Sequence, residues 1–224
     1  MQPTPRSTGP PAVPRRTTVF VDGLNFHYGV ARRFGRRWVD PVALCRRVLD
    51  PKWHDIRQVR YYTSLFVAGG PGGGDPSAQN AYHHALAQDD RFMLRLGKFR
   101  FRRETVRLAV DQGVEPNFAL AIGMREKRSD VNLAAELVHL AHLRAFESAV
   151  VVSNDSDLTT ALEIVNHELG IPIGVVNPQP SRQLQDLLDA STFARTIRRT
   201  DVMSSILPDV IQTAIGPVTR PLDW

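Results

Sequence analysis

The 224-residue chain holds one cysteine, Cys45. A single thiol excludes an internal disulfide and a zinc site built from several thiolates, and it suits a reducing, cytoplasmic setting. No apolar run approaches the roughly 20 residues needed to span a bilayer, so no membrane partner is expected. Residues 1–16 contain five prolines, no acid and no apolar stretch of the kind a secretory leader carries. They read as a disordered, basic, proline-rich tail. The glycine run at 69–74 lacks the Gly-Lys-Ser/Thr ending of a phosphate-binding loop and reads as a plain loop over 68–76. His83-His84 and the His139/His142 pair have no further cysteine or third histidine beside them, so they read as solvated or core residues. Cys45 reads as a small buried side chain.

What remains is ordinary in bulk, with 42% hydrophobic and 23% charged residues. The formal charge is +5, with a pI near 9.9, which favours a polyanionic partner. Patterning predicts strands at 17–22, 59–67, 149–153 and 171–176. Helices are expected at 25–33 and 41–49, opened by Asn25 and Asp40, and at 77–88, 130–143, 158–169 and 184–197. The last but one ends at Gly170, a good residue for leaving a helix. Residues 92–103 alternate, with Lys98, Arg100 and Arg102 on one face, Phe99 and Phe101 on the other, and Gly97 as a bulge or turn. Residues 109–128 show no clean period. Strand–helix alternation implies an α/β fold with a mostly parallel sheet. Apolar residues beyond Thr200, such as Ile206 and Leu207, could pack on the domain or form a homodimer contact.

The strongest local signal is a pair of strands that each stop at an aspartate: Thr18-Val19-Phe20-Val21-Asp22 and Val150-Val151-Val152-Ser153-Asn154-Asp155-Ser156-Asp157. Ligands of open α/β sheets gather beyond the carboxyl ends of the strands. Neighbouring strands would bring Asp22 together with Asp155 or Asp157. Asp130 opens a helix between them in sequence. An aspartate before a helix is commonly a cap, but an acid at the end of a buried strand, as at Asp22, is unusual. Clustered carboxylates repel one another unless a proton or a cation relieves them. Oxygen ligands suit magnesium or manganese, which could position a water and neutralise charge on a phosphodiester.

Val21-Asp22-Gly23-Leu24-Asn25, Lys127-Arg128-Ser129-Asp130-Val131 and Val152-Ser153-Asn154-Asp155-Ser156-Asp157 resemble, in order, the three motifs of NYN-domain proteins. These belong to the PIN-like superfamily of metal-dependent ribonucleases. The resemblance implies a PIN-like three-layer α/β sandwich over residues 17–200, flanked by the tail at 1–16 and a C-terminal segment at 201–224. It implies an endoribonuclease using Mg2+ or Mn2+, with Asp22, Asp130, Asp155 and Asp157 as the acidic site. Asn25 matches the motif asparagine and would orient a ligand carboxylate or a water, if it is not simply a cap. Lys127, Ser153 and Asn154 would face the substrate, Lys127 on a phosphate. Asn154 stands where the family usually has glycine, and its side chain would crowd a close backbone approach to a phosphate.

Arginines occur in pairs, and Arg32-Arg33 and Arg36-Arg37 follow directly after the Asp22 motif, where an RNA backbone would run. Two other readings compete with the nuclease. A non-catalytic RNA-binding module could keep the same fold. A phosphatase of the haloacid dehalogenase type fits superficially, but it wants a nucleophilic aspartate where this chain has Phe20.

Overall fold

The computed structural model describes residues 10–67, 75–108, 118–179, 185–222 and 224. The glycine loop and the first nine residues of the expected tail lie outside them. Six strands form one all-parallel sheet in the order β3-β2-β1-β6-β7-β8. They are β1 (Arg15–Asp22), β2 (His54–Thr63), β3 (Phe92–Leu96), β6 (Ser148–Val152), β7 (Ile173–Asn177) and β8 (Phe193–Thr196). The chain winds outward from β1 to β3, then returns to the centre at β6 and winds the other way. The reversal lies between β1 and β6, and an open parallel sheet has its ligand crevice at such a switch point.

Both faces of the sheet are covered, and the central strands show it residue by residue. Phe20 and Val151 face one core, with Leu133, Leu137 and Leu162, while Val19, Val21, Val150 and Val152 face the other, with Val30, Val42 and Leu44. Alternate burial on two sides is why these strands are apolar throughout. The first layer consists of α4 (Ser129–His142), α5 (Thr159–Glu163), a π-helical turn (Ile164–Glu168) and α6 (Gln185–Asp189). The second holds α1 (Gly23–Phe26), a π-helical stretch (His27–Arg32) that continues it, α2 (Pro41–Val48) and α7 (Arg199–Met203). The result is the expected three-layer sandwich.

Several boundaries differ from expectation. The helix expected at 184–197 stops at Asp189, and the chain then adds β8 as a sixth strand, because the partly buried Phe193 packs into the second core. The first helix opens at Asp22, not Asn25, because the Asp22 carboxylate accepts the Leu24 and Asn25 amides. Asp40 does cap α2, with Pro41 behind it. Gly97 ends β3 and sends the chain into a separate two-stranded ribbon, β4 (Lys98–Arg107) antiparallel to β5 (Phe118–Lys127). A Cβ at Gly97 would lie 2.7 Å from the Lys127 carbonyl oxygen and 2.7 Å from Ser64 Oγ, so only glycine fits this crossing.

The C-terminal residues pack on the domain. β9 (Val210–Thr213) and β10 (Gly216–Thr219) form a small hairpin beside α3 (Pro76–Leu86). Ile206, Ile211, Val218 and Trp224 surround the buried Trp38 and Tyr82. Trp38 donates its indole N–H to the Pro208 carbonyl at 2.8 Å, and Tyr82 donates its hydroxyl to the Val39 carbonyl at 2.6 Å. Truncating Trp38 removes both the apolar burial and this tie. Trp38→Ala is expected to lower unfolding free energy by about 3–5 kcal/mol in urea titrations; a change below about 1 kcal/mol would mean the C-terminal segment is not held through this ring.

Candidate metal centre

β1 and β6 run side by side in register, with Val21 opposite Val152, so Asp22 and Ser153 leave the sheet at one level. Asp22 is 3% exposed. One of its oxygens accepts the Leu24 and Asn25 amides at 3.1 and 3.0 Å; the other accepts the Asn25 side-chain amide and, at 2.8 Å, the Ser153 hydroxyl. All four donors are neutral. Gly23 follows because α1 lies against β2: a Cβ there would sit 2.6 Å from the Tyr62 carbonyl oxygen. The glycine supplies space here, since its backbone is not left-handed.

The Ser153 hydroxyl also accepts the Asp155 amide at 3.0 Å, so one buried side chain fastens both acidic turns. Asp155 in turn caps the short 3-10 turn that starts at Ser156 by accepting the Asp157 amide at 3.1 Å. Asp130 is the second residue of α4 and is exposed. Carboxylate oxygens of Asp22, Asp130 and Asp155 all lie within 4.8 Å of one another, so three distant segments converge as expected. Asp157 is an exposed neighbour outside that trio.

Burial is the largest influence on Asp22 and pushes its carboxyl above the usual range, and the nearby Asp155 charge adds to the rise. The hydrogen bonds from Asn25 and Ser153 oppose it without cancelling it. Three carboxylates this close, one of them buried among neutral donors, form an oxygen-only donor set suited to a hard divalent cation.

Two of the remaining expected residues touch this trio. Asn25 and Ser153 spend their polar groups on Asp22. Asn154 is 8% exposed and its Nδ2 has no hydrogen-bond partner among the described residues. Its backbone is not left-handed, so the turn does not need the glycine the family usually has there. Lys127 is exposed at the end of β5, two residues before α4 begins. Arg32 stacks over the Tyr28 ring at 5.2 Å, and Arg33 over Phe34 at 4.7 Å.

Sequence reasoning missed Arg128, which adopts φ 80° at the start of α4. A non-glycine residue in that region carries strain of about 1–3 kcal/mol, and here it sets the direction in which Ser129 and Asp130 enter the site. It also missed a cleft of about 400 Å3 that begins at Gly23, beside the acids. No local sequence signal marks that cleft, because its walls come from five separate segments.

The model of the NYN domain matches residues 16–195. The chain belongs to the NYN-domain family. Its domain is therefore of the PIN-like, ribonuclease type. The NYN chain is also similar to 6-hydroxy-3-succinoylpyridine 3-monooxygenase HspA of Pseudomonas putida, with 27% identity over 94% of this chain and 76% of that protein. A solved structure, a protein of unknown function from Vibrio parahaemolyticus, shares the fold with a TM-score of 0.55 at 16% identity, covering 86% of this chain and 98% of that one.

The raised Asp22 pKa has a sign that can be checked without any assay of activity. The folded state holds the Asp22 proton more tightly than the unfolded state, so Asp22 burial is cheapest at low pH and costs more as pH rises through the folded value. In EDTA, the stability of Asp22→Asn relative to the unsubstituted protein is expected to be more favourable at pH 8 than at about pH 3, below the ordinary carboxyl value of 3.8. Equal differences in paired urea titrations at the two pH values would contradict the burial of an ionisable carboxyl there.

Proposed function

We propose that this NYN-domain protein is a divalent-metal-dependent endoribonuclease. The observation that carries the reading is the convergence of Asp22, Asp130 and Asp155 at the switch point of the sheet. These three would hold one Mg2+ or Mn2+ ion, which when bound supplies neutralising charge and a water of lowered pKa at the scissile phosphodiester.

The surrounding residues have separable tasks. Asn25 and Ser153 are positioning residues, fixing the Asp22 carboxylate through one shared oxygen. The Asp157 carboxylate, held beside Asp155 by its backbone amide, takes up a proton from the attacking water or adds a ligand. Lys127 supplies a mobile positive charge for a phosphate oxygen. The unpartnered amide of Asn154 offers a neutral donor for the same group. The ribbon adds Lys98, Arg100 and Arg102 along one face of β4, opposite the face that carries Phe99 and Phe101. Arginine pairs near α1 extend the basic surface along which a polyanion would lie.

The similarity to HspA raises a second reading, oxygenation of a pyridine, and the aromatic cleft beside the acids is the observation that favours it. Oxygen uptake that depends on a hydroxypyridine and a reductant, without RNA cleavage, would decide for it.

Two outcomes test the nuclease reading. Purified protein with Mg2+ or Mn2+ is expected to cut unlabelled single-stranded RNA internally, and Asp22→Asn to lower the rate at least about 100-fold, by the loss of an ion-dependent electrostatic contribution. Undiminished cleavage by the substituted protein would sink the assignment. Independently of cleavage, the ion at about 100 times its Kd is expected to stabilise the protein by about 2.7 kcal/mol and to leave Asp22→Asn unchanged.

A further inference from the structure

The cleft beside the acids is built for a flat ring. Its walls include Tyr28, Tyr61, Phe66, Tyr82, Phe99 and Trp224. Phe66 and Phe99 are stacked, with centroids 6.1 Å apart and planes 6° from parallel, and Tyr82 and Trp224 meet at 5.3 Å. Its volume of about 400 Å3 lies within the roughly 300–1,000 Å3 of small-molecule sites.

Polar atoms are left over in this wall. Four buried side-chain polar atoms lack a hydrogen-bond partner among the described residues, and two of them, Ser64 Oγ and His83 Nδ1, belong to residues lining this one cleft. Ser64 is 1% exposed and His83 5%. Buried polar atoms are ordinarily paired, so two orphans in one wall call for a ligand. Burial holds the His83 ring down to about 4, so it is neutral at physiological pH and can accept as well as donate. The neighbouring Gln79 is fully engaged instead: it accepts the Phe66 amide at 2.7 Å and donates to the Ser64 carbonyl at 3.0 Å, which fixes the segment carrying Ser64.

The cleft begins one residue from the acids. Gly23, the residue after Asp22, forms part of its wall. Ser64 Oγ and Ser129 Oγ lie 2.7 and 2.6 Å from the point a Gly97 Cβ would occupy, so the cleft wall abuts the start of α4, next to Asp130. Arg32 and Arg37 close another side and are exposed.

We infer that this cleft is a base-binding pocket: it receives, flat against its aromatic walls and hydrogen-bonded to Ser64 and His83, the nucleobase of the nucleotide that adjoins the phosphate held at the acids. This rests on the nuclease reading for its strand, though not for its ring chemistry, which any planar nitrogen heterocycle shares. Aromatic faces accept every base, while the two polar atoms read its edge. Arg32 and Arg37 are placed to take the next phosphate along.

The test uses the full-length Asp22→Asn protein, so that binding is read without cleavage. The four nucleoside 5′-monophosphates, ribose 5-phosphate and free 2-hydroxypyridine are titrated while tryptophan fluorescence reports on Trp224. At least one nucleotide is expected to bind about tenfold or more tightly than ribose 5-phosphate, as stacking of one base allows. Ser64→Ala and His83→Ala in that background are expected to weaken the preferred nucleotide by about tenfold. In the otherwise unsubstituted enzyme, Ser64→Ala is expected to flatten the base preference at the cut. Ser64→Ala removes one unpaired hydroxyl and leaves the fold intact, so it decides the matter if His83→Ala unfolds. Equal binding of ribose 5-phosphate, or unchanged affinity in Ser64→Ala, would overturn the pocket. Tight binding of the hydroxypyridine alone would also overturn it, pointing to a free heterocycle. If RNA is cut without regard to base and no nucleotide binds, the pocket falls and the nuclease stands. If nucleotides bind but RNA is not cut, the pocket stands alone.

Discussion

The parallel pairing of β1 with β6 at the centre of the sheet is the constraint from which the site follows. With Val21 opposite Val152, the chain must leave both strands at the same level, and both exits carry acids. The Asp22 carboxylate serves two purposes there. It caps α1, and it receives the Ser153 hydroxyl, which also holds the Asp155 amide. A charge is thus kept nearly buried against its solvation preference by neutral hydrogen bonds that simultaneously fix the first helix and the turn after β6. An account of the fold at this point is also an account of the site.

The third acid arrives by a longer route. After β3 the chain leaves the sheet at Gly97, runs out and back through the β4–β5 ribbon, and enters α4 through the left-handed Arg128. The crossing at Gly97 is so close that it brings Lys127, Ser129 and Ser64 together. One excursion therefore delivers Asp130 to the acids, places a lysine near them and builds one wall of the aromatic cleft. The C-terminal segment completes the other end of that cleft through Trp224, which packs on Tyr82. Acid cluster and cleft are neighbours because Gly23, in the cleft wall, directly follows Asp22.

Much of this was legible in the residues. The Val-rich runs ending at Asp22 and before Asp155 marked two central parallel strands, since both faces of each are buried. The three spaced motifs marked the acids that converge. Asp40 and Gly170 marked helix ends through local chemistry that does not depend on the rest of the fold. Other features were not legible, for physical reasons. The cap of α1 passed to Asp22 because an acid can be strand end and cap at once. Phe193 joined β8 because tertiary packing outweighed the helical composition around Leu187 and Leu188. Residues 118–123 alternate in burial but not in polarity, because their exposed face carries Phe118, Leu120 and Ile122, so no hydrophobic period marks the strand. The cleft, assembled from Ser64, His83, Phe99 and Trp224, exists only once distant segments meet.

The central claim is that three carboxylates from three elements form one divalent-ion site. A crystal soaked in Mn2+ tests it most directly through anomalous scattering. The account predicts one strong peak in contact with Asp22, Asp130 and Asp155 together. Full manganese occupancy elsewhere on the protein, with no peak at these three residues, would contradict it.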